Sequence, residues 1–159
     1  MDKKAVAEIL RTEDSAALTS LAERDPQKLF RRLIGLAYDK NEVVCWRAIE
    51  AVGTVAGRLN GKHPDMVRNL AQRLLWMMRD ESGNNPGSAP EMLGEIVRNC
   101  PESCADLAPV IGSFDDELML RSGVLRALWR IAEVLPGLET LSMAALKRHL
   151  EDPDPVVRG

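Results

Sequence analysis

Four oxygen-bearing side chains fall within five residues in the stretch DESGNNPGSAPEMLGE: Asp80, Glu81, Ser82 and Asn84. Carboxylate, hydroxyl and amide oxygens are the donors that calcium and magnesium take. Their spacing does not follow the EF-hand loop, so a polar turn accounts for them better than a cation site. Glu91 lies further along, and a neighbouring Glu50 would raise its carboxyl pKa, as a general acid or base requires. The spacing from Ser88 to Glu91 instead fits a capping box at a helix start. Zinc chemistry is poorly provided for. His63 and His149 are far apart in sequence, and Cys100 and Cys104 lack a zinc-knuckle spacing, so buried thiols packing as small hydrophobes are expected. No glycine-rich phosphate loop, nucleophile elbow or acid–histidine arrangement occurs in the sequence. The expectation is a protein without catalysis, metal or cofactor.

The elements that must position these residues are helices. Apolar residues recur at three and four, strand-like alternation is nearly absent, and the class is all-α. The 159 residues fit one domain, 1–159. A formal net charge of −3 speaks against nucleic acid, and the Arg31-Arg32 and Lys3-Lys4 pairs read as solvated helix surface. No segment approaches the ~20 apolar residues of a membrane span, and the start lacks a signal-peptide core. Three cysteines cannot all pair within one chain, which suits a cytoplasmic protein.

Helix punctuation is regular. Two short helices, KKAVAEILR and SAALTSLAER, precede Asp25-Pro26, an N-cap with proline in the first turn. A long helix follows from about Asn41 to Leu59, with Gly61 as its left-handed stop. Pro64 opens the next helix. After the Asp80 stretch a helix starts near Ala89, with Pro86-Gly87 suiting a type II turn before it. Ser103 and Asp106 fit a capping box for CADLAPVIG, and Pro109 should kink that helix. A long helix then runs from Asp116, and ETLSMAALKRHLE closes before Pro153.

Short and long helices alternate, which calls for a test of repetition. Aligned on Asp39, Asp80, Asp115 and Asp152, the segments match without gaps, with anchors 41, 35 and 37 residues apart. Fourteen residues beyond the first three anchors lie Gly53, Gly94 and Trp129. An aspartate-rich turn, then Leu/Val-Arg, then a small-residue helix recurs as Leu120-Arg121 and Val157-Arg158, in part as Val44-Cys45, and is lost at Asn85-Pro86. This pattern resembles HEAT-like repeats of the type named after phycobilisome lyases. The resemblance implies a right-handed α-α superhelix, a HEAT/armadillo-like solenoid of about four hairpins, whose second helices line a concave side. Such repeats serve mainly as binding scaffolds, and the final DPDPVVRG suggests end-to-end self-association.

On the helix from Asn41, Val44, Ala48, Val52, Val55, Ala56 and Leu59 share the core face, and Trp46, Glu50, Gly53 and Gly57 the opposite stripe. The equivalent stripes are Gly87, Glu91, Gly94, Arg98 and Ser122, Arg126, Trp129, Glu133. A tryptophan on such a stripe either packs against the next hairpin or stands exposed as an interface anchor. The late start of the middle helix should leave a notch walled by Trp46 and Glu50 on one side and Arg126 and Trp129 on the other. Asp80, Glu81, Ser82, Asn84, Asn85 and Glu91 would form its floor. The expected function is a non-catalytic scaffold binding another protein or peptide there and on the Asp80–Ser88 loop. The alternative, from the family resemblance, is a lyase or tetrapyrrole-binding protein with a flat ligand between Trp46 and Trp129.

Overall fold

The computed structural model describes residues 1–38, 40, 42–79 and 87–158, apart from the side chains of Glu139 and Leu141. Among the described residues all regular structure is helical, and no helix is long and apolar enough to cross a membrane. Helices α1 (Lys3–Thr12), α2 (Ser15–Arg24) and α3 (Pro26–Leu36) open the chain. Asp14 caps α2 by accepting the Ala17 N–H at 2.9 Å, and Asp25 caps α3 by accepting that of Lys28 at 3.0 Å. Pro26 supplies the first-turn φ that its position favours.

Next come α4 (Val43–Asn60), α5 (Pro64–Arg79) and α6 (Ala89–Asn99). The six apolar positions of α4 assigned to the core from the helical wheel are all buried. A short α7 (Pro101–Cys104), a 3-10 turn (Ala105–Leu107) and α8 (Ala108–Gly112) lead to α9 (Arg121–Ala132), α10 (Glu139–His149) and α11 (Pro155–Arg158). Helix α3 lies against α4, α5 against α6 and α8 against α9, while α6 is packed between α4 and α9. Every residue of α6 from Ala89 to Val97 is buried. A helix so enclosed must either be apolar all round or find partners for its charges, and α6 carries Glu91 and Glu95.

Two glycines let the central helices approach. A Cβ on Gly53 would lie 2.6 Å from the Glu95 carbonyl, and one on Gly94 would lie 2.6 Å from the Cα of Ala127. These two positions are equivalent in the repeat alignment, and each sits where its helix meets the next.

Several helix boundaries differ from the sequence expectation. Gly61 is right-handed, at φ −64° and ψ −28°. The Leu59 carbonyl there accepts from both Lys62 and His63, so a tight turn and Pro64 end α4 without a left-handed residue. The helix expected from Asp116 begins only at Arg121, because residues 114–120 form successive turns, with Glu117 N–H bonded to Phe114 O and Leu120 N–H to Glu117 O. Ser103 caps nothing and Asp106 turns outward to Arg68, whose two terminal nitrogens it meets at 2.6 Å each. Pro109 lies in the first turn of α8, where it kinks no helix.

Candidate interaction site

Trp46 stands in the first turn of α4, half-buried, and its indole N–H donates to the Lys40 carbonyl at 3.0 Å. Arg126 of α9 lays its guanidinium over that ring, 4.5 Å from the centroid, and brings Nη2 to 4.0 Å from Glu50 Oε1. Helices α4 and α9 are separated by α6, so this contact spans the N-terminal part of α6. The expected open notch is thus a closed clasp. Trp46, Glu50 and Arg126 do meet, and they satisfy one another rather than walling an empty space.

Glu91 lies beneath, 3% exposed, and accepts a hydrogen bond from Lys40 Nζ. Its Oε2 has no hydrogen-bond partner and rests against Gly123, where an added Cβ would come within 2.7 Å. Gly123 is in the first turn of α9, whose positive dipole end favours a nearby carboxylate. The capping-box expectation fails here. Ser88 makes no side-chain cap bond, its buried Oγ is unpartnered, and the Glu91 carboxylate is drawn away to the Lys40 ammonium. Nor do Glu50 and Glu91 act as a like-charged pair, since each goes to a different cation. Gly87 does take the positive φ expected of it, at 59°, where a Cβ would meet the Tyr38 ring at 2.9 Å. Asp80, Glu81, Ser82, Asn84 and Asn85 lie outside the described residues.

One turn along α6, Glu95 is 2% exposed and receives Arg130 through two hydrogen bonds, at 2.5 and 3.2 Å. That pairing raises the Arg130 pKa. Arg98 and Glu133 pair at 3.0 Å on the same side of the molecule. Trp129 is 52% exposed, and the Arg130 guanidinium lies over its ring, 5.8 Å from its centroid. Of the two tryptophans on the stripe, then, one is packed and one is presented to solvent. The fully buried Glu91 and Glu95 could not be told from surface glutamates by their spacing alone, and Lys40 gave no signal at all.

A second polar centre joins α9, α10 and α11. Asp115 is buried and accepts from Arg148 Nε at 3.0 Å and lies 3.3 Å from His149 Nε2. Asp152 accepts from Arg121 Nη1 at 2.6 Å and from the Asp154 N–H at 2.9 Å. The Asp154 N–H first, and Arg121 with it, hold the Asp152 pKa below the ordinary carboxylate range. Arg121 Nε also donates to the Asp115 carbonyl at 3.0 Å, and Arg158 Nη1 to that of Asp152 at 2.6 Å. The aspartate and the arginine six residues on thus make the same contact in both repeats where the sequence has Leu/Val-Arg. In the first repeat Cys45 holds the arginine's place and is buried.

Asp115, Asp116 and His149 present ligand-type atoms within 4.8 Å of one another, but Asp115 already serves Arg148. Burial pushes the Cys100 thiol up to about 12 and raises that of Cys104, so both stay protonated and unreactive at neutral pH. A flat ligand between the tryptophans would have to displace Arg126 from Trp46. No family model matches this chain, and no curated protein or solved structure matches it.

Proposed function

We propose that this chain is a HEAT-like helical scaffold, without catalysis, that binds another protein or peptide on the face formed by α4, α6 and α9. The paired packing of α3 with α4, α5 with α6 and α8 with α9, and the placement of α6 between α4 and α9, support stacked hairpins. The half-exposed Trp129, with the Arg130 guanidinium over its ring, is the observation that carries the reading. Aromatic and arginine side chains at the centre of a contact supply most interface energy. On this reading Trp129 is the anchor, and Glu50 and Arg126 set polarity. Trp46 acts through Arg126, which it orients.

A photo-crosslinking residue at position 129 tests it. Crosslinking to one partner, lost with Glu50→Arg and Arg126→Glu while the helical circular dichroism is kept, is the expected result. A spectrum of crosslinks no different from that of a residue placed at Glu23 would remove the proposal.

A further inference from the structure

A second surface lies on the other helices of the hairpins. Between α3 and α5 runs a groove of about 510 Å³, with Phe30, Ile34, Met66 and Leu70 among its lining residues and Arg31 and Arg73 at its exposed walls. Its volume is in the range of built ligand sites. Phe30 and Leu70 are buried, so the floor belongs to the core and does not move with the walls. On each helix the lining residues recur at three and four, which directs one continuous stripe of α3 toward one of α5.

Charge sets this groove apart from the rest of the chain. Its two charged lining residues, Arg31 and Arg73, are both basic, in a chain whose net charge is −3, and the other cations of α3 and α5 do not line it. Arg68 is neutralised by Asp106 and Arg32 donates to the Met1 carbonyl, whereas Arg31 and Arg73 enter no ion pair or side-chain hydrogen bond among the described residues. One turn beyond Arg73, Trp76 is 67% exposed. Read from the sequence, Arg31 was a solvated surface residue; placed beside Arg73 over an apolar floor, it is half of a recognition pair.

We propose that this groove docks an acidic amphipathic segment of a partner protein, with an apolar side chain seated among Phe30, Ile34, Met66 and Leu70 and carboxylates paired to Arg31 and Arg73. The guanidinium fork matches carboxylate geometry, and an amphipathic helix laid in a groove meets both the floor and the walls. The apolar floor favours this occupant over a nucleic acid, whose phosphates need a continuous basic track and leave apolar surface unused. This surface is independent of the one around Trp129.

A displayed library of helical peptides, with a fixed apolar stripe and every other position free to be Asp, Glu, Lys or Gln, is selected on the folded chain. The selected pool should converge on Asp and Glu, and binding of its members should fall roughly tenfold for each of Arg31→Gln and Arg73→Gln. Trp129→Ala should leave that binding unchanged, which separates failure of this proposal from failure of the scaffold reading. Both arginines are exposed, so circular dichroism of the variants should match the parent. A charge-indifferent or basic pool, no binders, or binders insensitive to both substitutions would overturn the proposal. So would a single-stranded DNA oligonucleotide that binds more tightly than the pool and is lost with the same two substitutions.

Discussion

The junction around α6 and the junction around α11 both bury carboxylates, but they provide for them differently. At α11, Asp115 and Asp152 sit in turns, where several donors converge: Arg148 and His149 on one, Arg121 and the Asp154 N–H on the other. At α6, Glu91 projects from the first turn and Glu95 from the middle of a buried helix. Each depends on one cation, Lys40 or Arg130, brought from elsewhere in the chain. A turn carboxylate thus has several donors at hand, whereas among the described residues each carboxylate of α6 has a single cation. Loss of one basic residue should therefore be felt far more at the centre than at the end of the chain.

Arg130→Ala should give the largest effect. It leaves Glu95 buried, charged and unpaired, a situation that costs about 3–5 kcal/mol. Thermal or urea unfolding measures it. Replacing both partners, as Glu95→Leu with Arg130→Met, should recover most of the loss, since the desolvation of two charges goes with them. A loss under about 1 kcal/mol for Arg130→Ala would mean that water reaches Glu95 and that the centre is no different from the turn.

Gly94→Ala should come next. Its Cβ would meet the Ala127 backbone at 2.6 Å, so α6 and α9 must separate. Overpacking costs about 1–3 kcal/mol and alanine returns roughly 1 in helix propensity, for a net loss of up to about 2 kcal/mol. The same change at Gly123 meets a side chain, the Glu91 carboxylate, rather than backbone. Its cost should be smaller, and the difference between the two in urea midpoint is the quantity to compare. Equal losses would show that Glu91 is held as rigidly as a helix backbone.

These glycines also mark how far the sequence could be read. Gly53 and Gly94 fall at one position of the repeat alignment, and both prove to be points of close helix approach, because a missing Cβ is visible in sequence and backbone contact is what it permits. The all-helical class, the N-cap at Asp25 and the core face of α4 follow from local patterning, and local patterning is what a sequence displays. Glu91 shows the limit. Ser88-x-x-Glu91 satisfies the capping rule, yet the Lys40 ammonium, fifty-one residues away in the chain, takes the carboxylate. Nor did the spacing of Trp46, Glu50 and Arg126 reveal that a late-starting α6 lets side chains of α4 and α9 reach across it. The choice between packed and exposed tryptophan went one way at Trp46 and the other at Trp129, and only long-range contacts decide such a choice.

Lys40→Ala tests the weaker half of the central junction. It strips the Glu91 carboxylate of its hydrogen-bonding cation while Oε2 is already unpartnered. The Lys40 side chain is 40% exposed, so water can enter where the ammonium stood, and the loss should be about 1–2 kcal/mol, below that of Arg130→Ala. Glu91→Gln in the Lys40→Ala background should return part of it by removing the stranded charge. Were Lys40→Ala to cost as much as Arg130→Ala, partial exposure of the cation would not matter, and the ranking within α6 would fail.

The smallest effect should come from the clasp itself. Arg126 is about one-third exposed, its ion pair with Glu50 is long at 4.0 Å, and its stacking on Trp46 is the closer contact. Such a cation–π contact at a half-exposed site contributes about 0.5–1 kcal/mol. Arg126→Ala and Trp46→Leu, singly and together in a double-mutant cycle, should therefore couple by about that amount, whereas Arg126→Ala with Glu50→Ala should couple by less. A larger coupling to Glu50 than to Trp46 would make the clasp electrostatic, and it would then loosen with added salt. Coupling through the ring predicts the reverse, a stability increment that salt leaves nearly unchanged, because a guanidinium lying on an aromatic face is shielded on that side from the ions that screen an exposed pair.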